Sequence, residues 1–210
     1  AHILGERGFW TLDLRVTSDT LIPRPETELL VEAALARLPD SGGTVADLGT
    51  GSGAIALAIA TDCPACEVVA VENSEAALAV ARDNAQRNGV TNVRFVSGSW
   101  YGPLSGQRFS LIVSNPPYIC ADDPHLAEGD VRFEPMTALA SGADGLDDIR
   151  QIVRGAAAHL QPGGWLILEH GYDQGKDVCQ LLSEAGFQRV ADLTDLQGHG
   201  RVALGQLSNT

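Results

Sequence analysis

Apolar residues recur with two different periods along this chain, and the places where the period changes divide it into elements. Between Phe9 and Val16 the pattern alternates, with Trp10, Leu12, Leu14 and Val16 on one face, which predicts a strand of a small hairpin or an edge. Leu21-Ile22-Pro23-Arg24-Pro25 is an extended connection, because each proline keeps the residue before it out of the helical region. Leu29, Leu30, Ala33, Ala34 and Leu38 then fall at helical spacing, with Pro25 tolerated at the first turn and Pro39 and Gly42-Gly43 ending the helix. From Val45 the order is regular: strand 45–48, helix 53–61, strand 68–72, helix 75–88 closed by Gly89, then strands 93–97 and 109–114. A polar stretch, 119–143, has no clear period. A helix over 146–160 ends before Pro162-Gly163-Gly164, strand 165–169 follows, and a helix over 174–185 is closed by Gly186. Two last apolar runs, 187–193 and 201–207, predict an antiparallel pair joined across Gly198-His199-Gly200. Alternating strands and helices predict an α/β domain with a doubly wound, mostly parallel sheet. Ligands of such sheets bind outside the C-terminal strand ends.

The strand over 109–114 runs into Asn115-Pro116-Pro117-Tyr118. Each proline fixes its own φ and lacks an N–H, so the turn holds its carbonyls and the Asn115 side chain as a rigid set of acceptors. An aromatic ring follows two residues after the first proline. Such a set suits a planar –NH₂ group, with acceptors for its two hydrogens and a ring over its face. The pattern points to methylation of an amide or amino nitrogen.

A second segment carries candidate cofactor chemistry. Thr44-Val45-Ala46-Asp47-Leu48-Gly49-Thr50-Gly51-Ser52-Gly53 is a strand leading into a glycine-rich turn, and an Ala-rich helix follows. Glycines allow close backbone approach to a ligand, and the helix start offers free N–H groups. About twenty residues on, in the manner of the dinucleotide fingerprint, the strand Val68-Val69-Ala70-Val71 ends in Glu72, an acceptor for the two hydroxyls of a ribose. Alone, this arrangement fits NAD and S-adenosylmethionine equally. Asn115 to Tyr118 decides for S-adenosylmethionine, because hydride transfer has no use for amide acceptors there.

Composition narrows the partners. The 210 residues include 14 basic and 27 acidic ones, a formal net charge of −13, which argues against broad contact with nucleic-acid phosphates. No apolar stretch is long enough to span a membrane, and no signal peptide is expected. Cys63-Pro64-Ala65-Cys66 lacks the second close pair that a zinc site needs, and Cys120 and Cys179 stand alone. No metal is expected, and the cysteines are expected to be incidental and reduced in a cytoplasmic protein.

At this point the chain resembles the HemK/PrmC family, the N5-glutamine methyltransferases of peptide chain release factors. The resemblance rests on Leu21-Ile22-Pro23-Arg24-Pro25-Glu26-Thr27-Glu28, the loop Asp47 to Gly53, and Ser114-Asn115-Pro116-Pro117-Tyr118-Ile119. It extends through Gly129-Asp130-Val131-Arg132-Phe133-Glu134-Pro135 and Leu168-Glu169-His170-Gly171. It implies a seven-stranded, Rossmann-like class I methyltransferase sheet with an N-terminal β-hairpin and linker. It also implies residues 1–24 leading in from a helical domain and residues 25–210 forming the S-adenosylmethionine-dependent domain. Gly49, Thr50, Gly51, Ser52 and Gly53 would hold the methionine end of the cofactor, Glu72 its ribose, and Trp100 would lie near the adenine. Asn115, Pro116, Pro117 and Tyr118 would bind the glutamine amide, with Asn115, Pro116 and Tyr118 as catalytic groups and Asn115 also bordering the cofactor. Ser99 stands where the family often has an acid for the adenine amino group. Because Ala1 is not a natural start, the chain is expected to be a fragment.

The implied partner is a release factor bearing Gly-Gly-Gln, met by a monomer without membrane or direct nucleic-acid contact. Alternatives are a ribosomal protein glutamine methyltransferase, an adenine-N6 type nucleic-acid methyltransferase, and a non-enzymatic adenosine-binding protein. No dedicated general base is required, since the amide proton becomes acidic after methyl transfer. Asp130, Glu134, Glu169 and His170 are candidate acceptors, although His170 after an apolar strand is expected to be a hydrogen-bonded packing residue. Arg132 and Phe133 are expected either to cover the substrate or to pack within their own loop.

Overall fold

In the computed structural model, residues 5–122 and 134–209 are described. Asp130, Arg132 and Phe133 lie outside the described residues. The elements follow in the order β1 (Glu6–Phe9), β2 (Leu12–Arg15), α1 (Thr27–Leu35), β3 (Thr44–Leu48), α2 (Ala54–Asp62), β4 (Glu67–Glu72), α3 (Glu75–Arg87) and β5 (Val93–Ser97). Then come β6 (Phe109–Ser114), α4 (Asp147–His159), β7 (Leu160–Glu169), α5 (Gly175–Glu184), β8 (Gln188–Thr194) and β9 (Gly200–Gln206). Seven strands form one sheet in the order β5-β4-β3-β6-β7-β9-β8, and β1 and β2 form a separate antiparallel hairpin. β3 pairs in parallel with both β4 and β6, and β9 runs antiparallel to β7 and β8. The expected mostly parallel sheet with a terminal antiparallel pair is therefore present, and no helix among the described residues is long and apolar enough to cross a membrane.

Period-2 alternation sends neighbouring residues of each strand to opposite faces. Val45, Val68, Ala70, Leu111 and Val113 face a core completed by α1, α2 and the hairpin residues Phe9, Leu12 and Leu14. Ala46, Leu48, Val69, Val71 and Ile112 face a second core completed by α4 and α5. α2 is buried on all sides, from Ala54 to Ala60, which is why its sequence is apolar all round rather than striped.

Three details depart from the sequence reading. Trp10 does not share a strand face with Leu12, Leu14 and Val16. It sits with Thr11 in the two-residue turn of the hairpin, at φ 55°, and its indole Nε1–H donates to Asp62 at 2.9 Å. Phe9 takes the buried place instead. The strand before Glu169 starts at Leu160 rather than Trp165. Leu160 pairs with Phe109, and a register shift between Phe109 and Leu111 absorbs the Pro-Gly-Gly segment, the kind of irregularity at which a strand proline is tolerated. Finally, Cys63 and Cys66 are joined as a disulfide, against the expectation of reduced thiols. The turn after α2 brings their Cα atoms to 5.4 Å, within disulfide range, and Asn92 Nδ2 holds that turn through the Ala60, Cys63 and Cys66 carbonyls. Cys120 and Cys179 are free.

Candidate functional site

The strand order reverses between β3 and β6, and a crevice opens above their C-terminal ends. A cavity of about 410 Å³ lies there, within the usual range for small-ligand sites. Gly49, Thr50, Gly51 and Ser52 from the turn after β3, Glu72 from the end of β4, Ser99 and Trp100 from beyond β5, and Asn115 and Pro117 from the turn after β6 all line it. Sequence elements up to 68 residues apart are thus brought to one wall by strand register alone. Gly53, Pro116 and Tyr118 are not among the lining residues. Gly53 caps α2 at φ 86°, and Pro116 is buried beneath the turn.

The glycine turn is held from behind. The Gly49 and Thr50 N–H groups both donate to the Val71 carbonyl at 2.9 Å. Gly49 has φ 75°, and a Cβ there would come within 3.2 Å of the Trp100 indole, so the position needs glycine for both reasons. Asp47 is fully buried, and its Oδ2 accepts from the Thr50 hydroxyl at 2.6 Å and the Ala56 N–H at 3.2 Å. Burial pushes this carboxyl up to about 7, against those two hydrogen bonds and with a further upward push from Glu72. The Glu72 carboxylate accepts from the Gly51 N–H and from the Ser74 N–H, each at 2.9 Å.

Around the β6 turn, the Ser114 hydroxyl donates to the Leu48 carbonyl at 2.6 Å, fastening the two strand ends together. Asn115 Nδ2 approaches the Thr27 hydroxyl at 3.5 Å, while its Oδ1 is buried and has no hydrogen-bond partner. The Tyr118 hydroxyl donates to Glu169 Oε1 at 3.2 Å, and the Tyr118 carbonyl accepts from Gln174 Nε2 at 2.9 Å. Burial and the adjacent Glu169 push the Tyr118 hydroxyl far above its usual range. Glu169 itself is pushed up to about 7 by burial, against the Thr27 and Tyr118 hydroxyls and Arg201.

His170 is fully buried, with Nδ1 at 2.8 Å from the Gly171 carbonyl and Nε2 at 3.0 Å from Asp192, so it is a hydrogen-bonded packing residue, as expected. Glu134 is bound to Arg24, whose Nη2 reaches both carboxylate oxygens at 2.9 and 3.1 Å. That pair ties the Pro-Arg-Pro lead-in to Glu134, joining two of the segments on which the resemblance rests. Sequence reasoning about chemistry missed Thr27, Asp47 and the lead-in residues Ser18, Asp19 and Thr20, of which all but Asp47 line the cavity. Among the described residues, no group of three or more His, Cys, Asp or Glu side chains is placed to hold a metal ion.

Residues 25–128 match the family model described as the methyltransferase small domain. A release factor glutamine methyltransferase of Xylella fastidiosa strain Temecula1 is 58% identical over 207 residues, covering 98% of this chain and 75% of the relative. Proteins of the same description from Pseudomonas aeruginosa and Escherichia coli K12 are 58% and 48% identical, again over 98% of this chain and 75% and 74% of theirs. Among solved structures, a methyltransferase from Pyrococcus furiosus superposes with a TM-score of 0.71 at 22% identity, over 94% of this chain and 89% of its own. A Thermus thermophilus 16S rRNA N2 G1207 methyltransferase in complex with AdoMet and guanosine gives 0.68 at 24% identity, over 96% of this chain and 49% of its own. These two share the fold. With close relatives aligned over nearly its whole length and the crevice in the place the fold assigns to ligands, the chain belongs to the release factor glutamine methyltransferase family and is a methyltransferase.

Proposed function

We propose that this chain transfers a methyl group from S-adenosylmethionine to the side-chain amide nitrogen of the glutamine in the Gly-Gly-Gln segment of peptide chain release factors. The observation that carries the proposal is the buried, partnerless Oδ1 of Asn115, a residue that lines the cavity. Leaving such an acceptor unpaired costs about 1–3 kcal/mol, a cost that an N–H of a bound carboxamide removes. The Pro116 carbonyl, expected from the sequence to accept the second hydrogen, belongs to a residue that does not line the cavity. The descriptions of the close relatives support a release factor as the recipient.

The residues present also fit the cofactor. The Gly51 position opens onto free space, so the turn's backbone lies bare toward the cavity. Each Glu72 oxygen keeps a lone pair after binding Gly51 or Ser74, enough to receive ribose hydroxyls. Trp100 offers a flat wall for the adenine, with Ser99 beside it. When bound, the cofactor supplies an electrophilic methyl group. An amide nitrogen is a poor nucleophile because its lone pair is delocalised. Asn115 would hold its hydrogens and draw electron density toward it, so acceleration comes from orientation and from dipoles that need no rearrangement. Glu134 is engaged by Arg24 and His170 by Asp192, leaving neither as a free base at the cavity.

Labelled methyl transfer to purified release factor, ribosomal protein and DNA, run side by side, tests the proposal. Label on the release factor, placed by mass spectrometry on the glutamine of Gly-Gly-Gln, is the expected result. Label on ribosomal protein or DNA alone overturns it.

A further inference from the structure

Strand register places Glu169 beside Asn115. Ser114 pairs with Leu168 across β6 and β7; Glu169 is the next residue of β7, and Asn115 is the first residue beyond β6. Glu169 is 2% exposed and does not line the cavity. Its Oε1 accepts from the Tyr118 hydroxyl, and its Oε2 has no hydrogen-bond partner. Thr27, buried at the start of α1, stands at the third corner. Its Oγ1 faces Asn115 Nδ2 at 3.5 Å, and its hydroxyl favours the ionised form of Glu169. One carboxyl therefore stands behind both ends of the Asn-Pro-Pro-Tyr turn.

A side-chain amide is nearly symmetric in shape but opposite in chemistry at its two ends, so its orientation is set by its neighbours. An ionised carboxylate can only accept. A Thr27 hydroxyl that turns its hydrogen toward the open carboxylate presents its lone pairs to Asn115. Only Nδ2 can face those lone pairs, which leaves Oδ1 as the end of the amide turned away from Thr27, buried and without a hydrogen-bond partner. A protonated Glu169 is able to donate to Thr27, which is then free to donate to Asn115 in turn. The amide then rotates and points an –NH₂ at the place where a substrate –NH₂ must bind, a donor against a donor. We infer that Glu169 is a positioning residue which, through Thr27, sets the direction of the hydrogen bonds at Asn115 and so keeps an acceptor turned toward the substrate amide. The inference rests on the proposed role of Asn115.

The groups facing Glu169 come from several elements. Burial holds the carboxyl at about 7, Arg201 on β9 favours its charge, and Glu26 beside α1 opposes it. Tyr118 binds it directly, and Arg24 acts on Tyr118 while bound to Glu134. His170, the next residue, is engaged with Asp192 on β8. The sign follows: as pH falls through about 7, Glu169 takes up a proton and the orientation at Asn115 is released, so transfer weakens on the acid side.

Glu169→Gln and Thr27→Val test this in the whole chain, with release factor as substrate. Gln keeps the shape but both donates and accepts, so the relay loses its direction. Since a hydrogen bond contributes roughly 1–1.5 kcal/mol, kcat should fall on the order of tenfold. The acid limb of the wild-type kcat profile should vanish in Glu169→Gln, with the KM for S-adenosylmethionine unchanged. Thr27→Val should match it, and the double variant should lose no more. A readout free of turnover is the side-chain ¹⁵N–¹H signal of Asn115 in substrate-free protein, identified by its loss in Asn115→Ala. It should titrate near pH 7 in the wild type and stay flat in Glu169→Gln. If Glu169→Gln does not fold, Thr27→Val and the wild-type titration still decide. A wild-type kcat and pH profile in the folded variants, or an Asn115 signal that does not move with pH, overturns the inference. A wild type that leaves release factor unmethylated overturns the functional reading instead, and the titration still judges the relay.

Discussion

The Glu72 carboxylate holds the Gly51 N–H at 2.9 Å across 21 residues of sequence. The acid expected to receive a ribose therefore also sets the shape of the glycine turn, and its removal acts twice. Glu72→Ala should lower S-adenosylmethionine affinity by the charge-assisted hydrogen bond, roughly 1.5–3 kcal/mol, and by more if the turn relaxes. Calorimetry on Glu72→Ala and Glu72→Gln separates the two, because Gln keeps one acceptor for Gly51. Equal affinities for the wild type and Glu72→Ala would remove Glu72 from the cofactor site.

Asn115→Ala deletes the acceptor at the β6 turn. The loss of one preorganised group of this kind costs about 10²–10³ in rate. Single-turnover methyl transfer should fall by that amount while cofactor affinity falls far less. Near wild-type transfer by the variant would show that another group orients the amide.

Asn84 joins three pieces of the fold from a fully buried position. Its Oδ1 accepts from the Arg15 N–H at 2.7 Å, and its Nδ2 donates to the Arg15 carbonyl at 3.0 Å and the Ser52 carbonyl at 2.9 Å. The hairpin and the cofactor turn therefore share one side chain on α3. Asn84→Ala leaves three backbone groups unpaired, and urea unfolding should show a loss of about 3 kcal/mol or more. S-adenosylmethionine affinity should fall with it, although Asn84 does not line the cavity of the cofactor turn.

Asp47 couples the turn to pH. Its carboxyl is raised from 3.8 to about 7, so the folded state holds the proton more tightly than the unfolded chain does. Its contribution to stability is fully present below about 3.8 and is lost as pH rises through 7. Asp47→Asn removes that loss. Compared by urea unfolding, the variant should gain roughly 2 kcal/mol on the wild type between pH 5.5 and pH 8.5. A constant difference across that range would mean that Asp47 does not titrate in the fold.

Much of the architecture was legible because it is written in local periods. Val45 to Leu48 and Val68 to Glu72 announce themselves as strands, and the glycines between strand and helix mark the turn. Asn115 was legible because two prolines leave its turn little freedom. The supporting groups were not. Thr27 lies 88 residues from Asn115 and Glu134 lies 110 from Arg24, and no local pattern encodes such pairs. Trp10 misled for a related reason: alternation continues across a two-residue turn, so the period does not reveal where one strand ends and the next begins. The Cys63–Cys66 bond escaped because compartment was weighed above the short reach of a turn after a helix.

The bond from the Ser114 hydroxyl to the Leu48 carbonyl closes the gap between two neighbouring strands, one ending in the cofactor turn and the other at Asn115. On the proposed reading, donor and recipient rest on adjacent rails about 4.8 Å apart, so the span the methyl must cross is gauged by backbone rather than by side-chain conformers. The lining that comes from Ser18, Asp19, Thr20, Leu21, Pro135 and Ala138 can be redrawn without touching that gauge. A new recipient then needs only a new entrance, while the transfer distance is inherited unchanged.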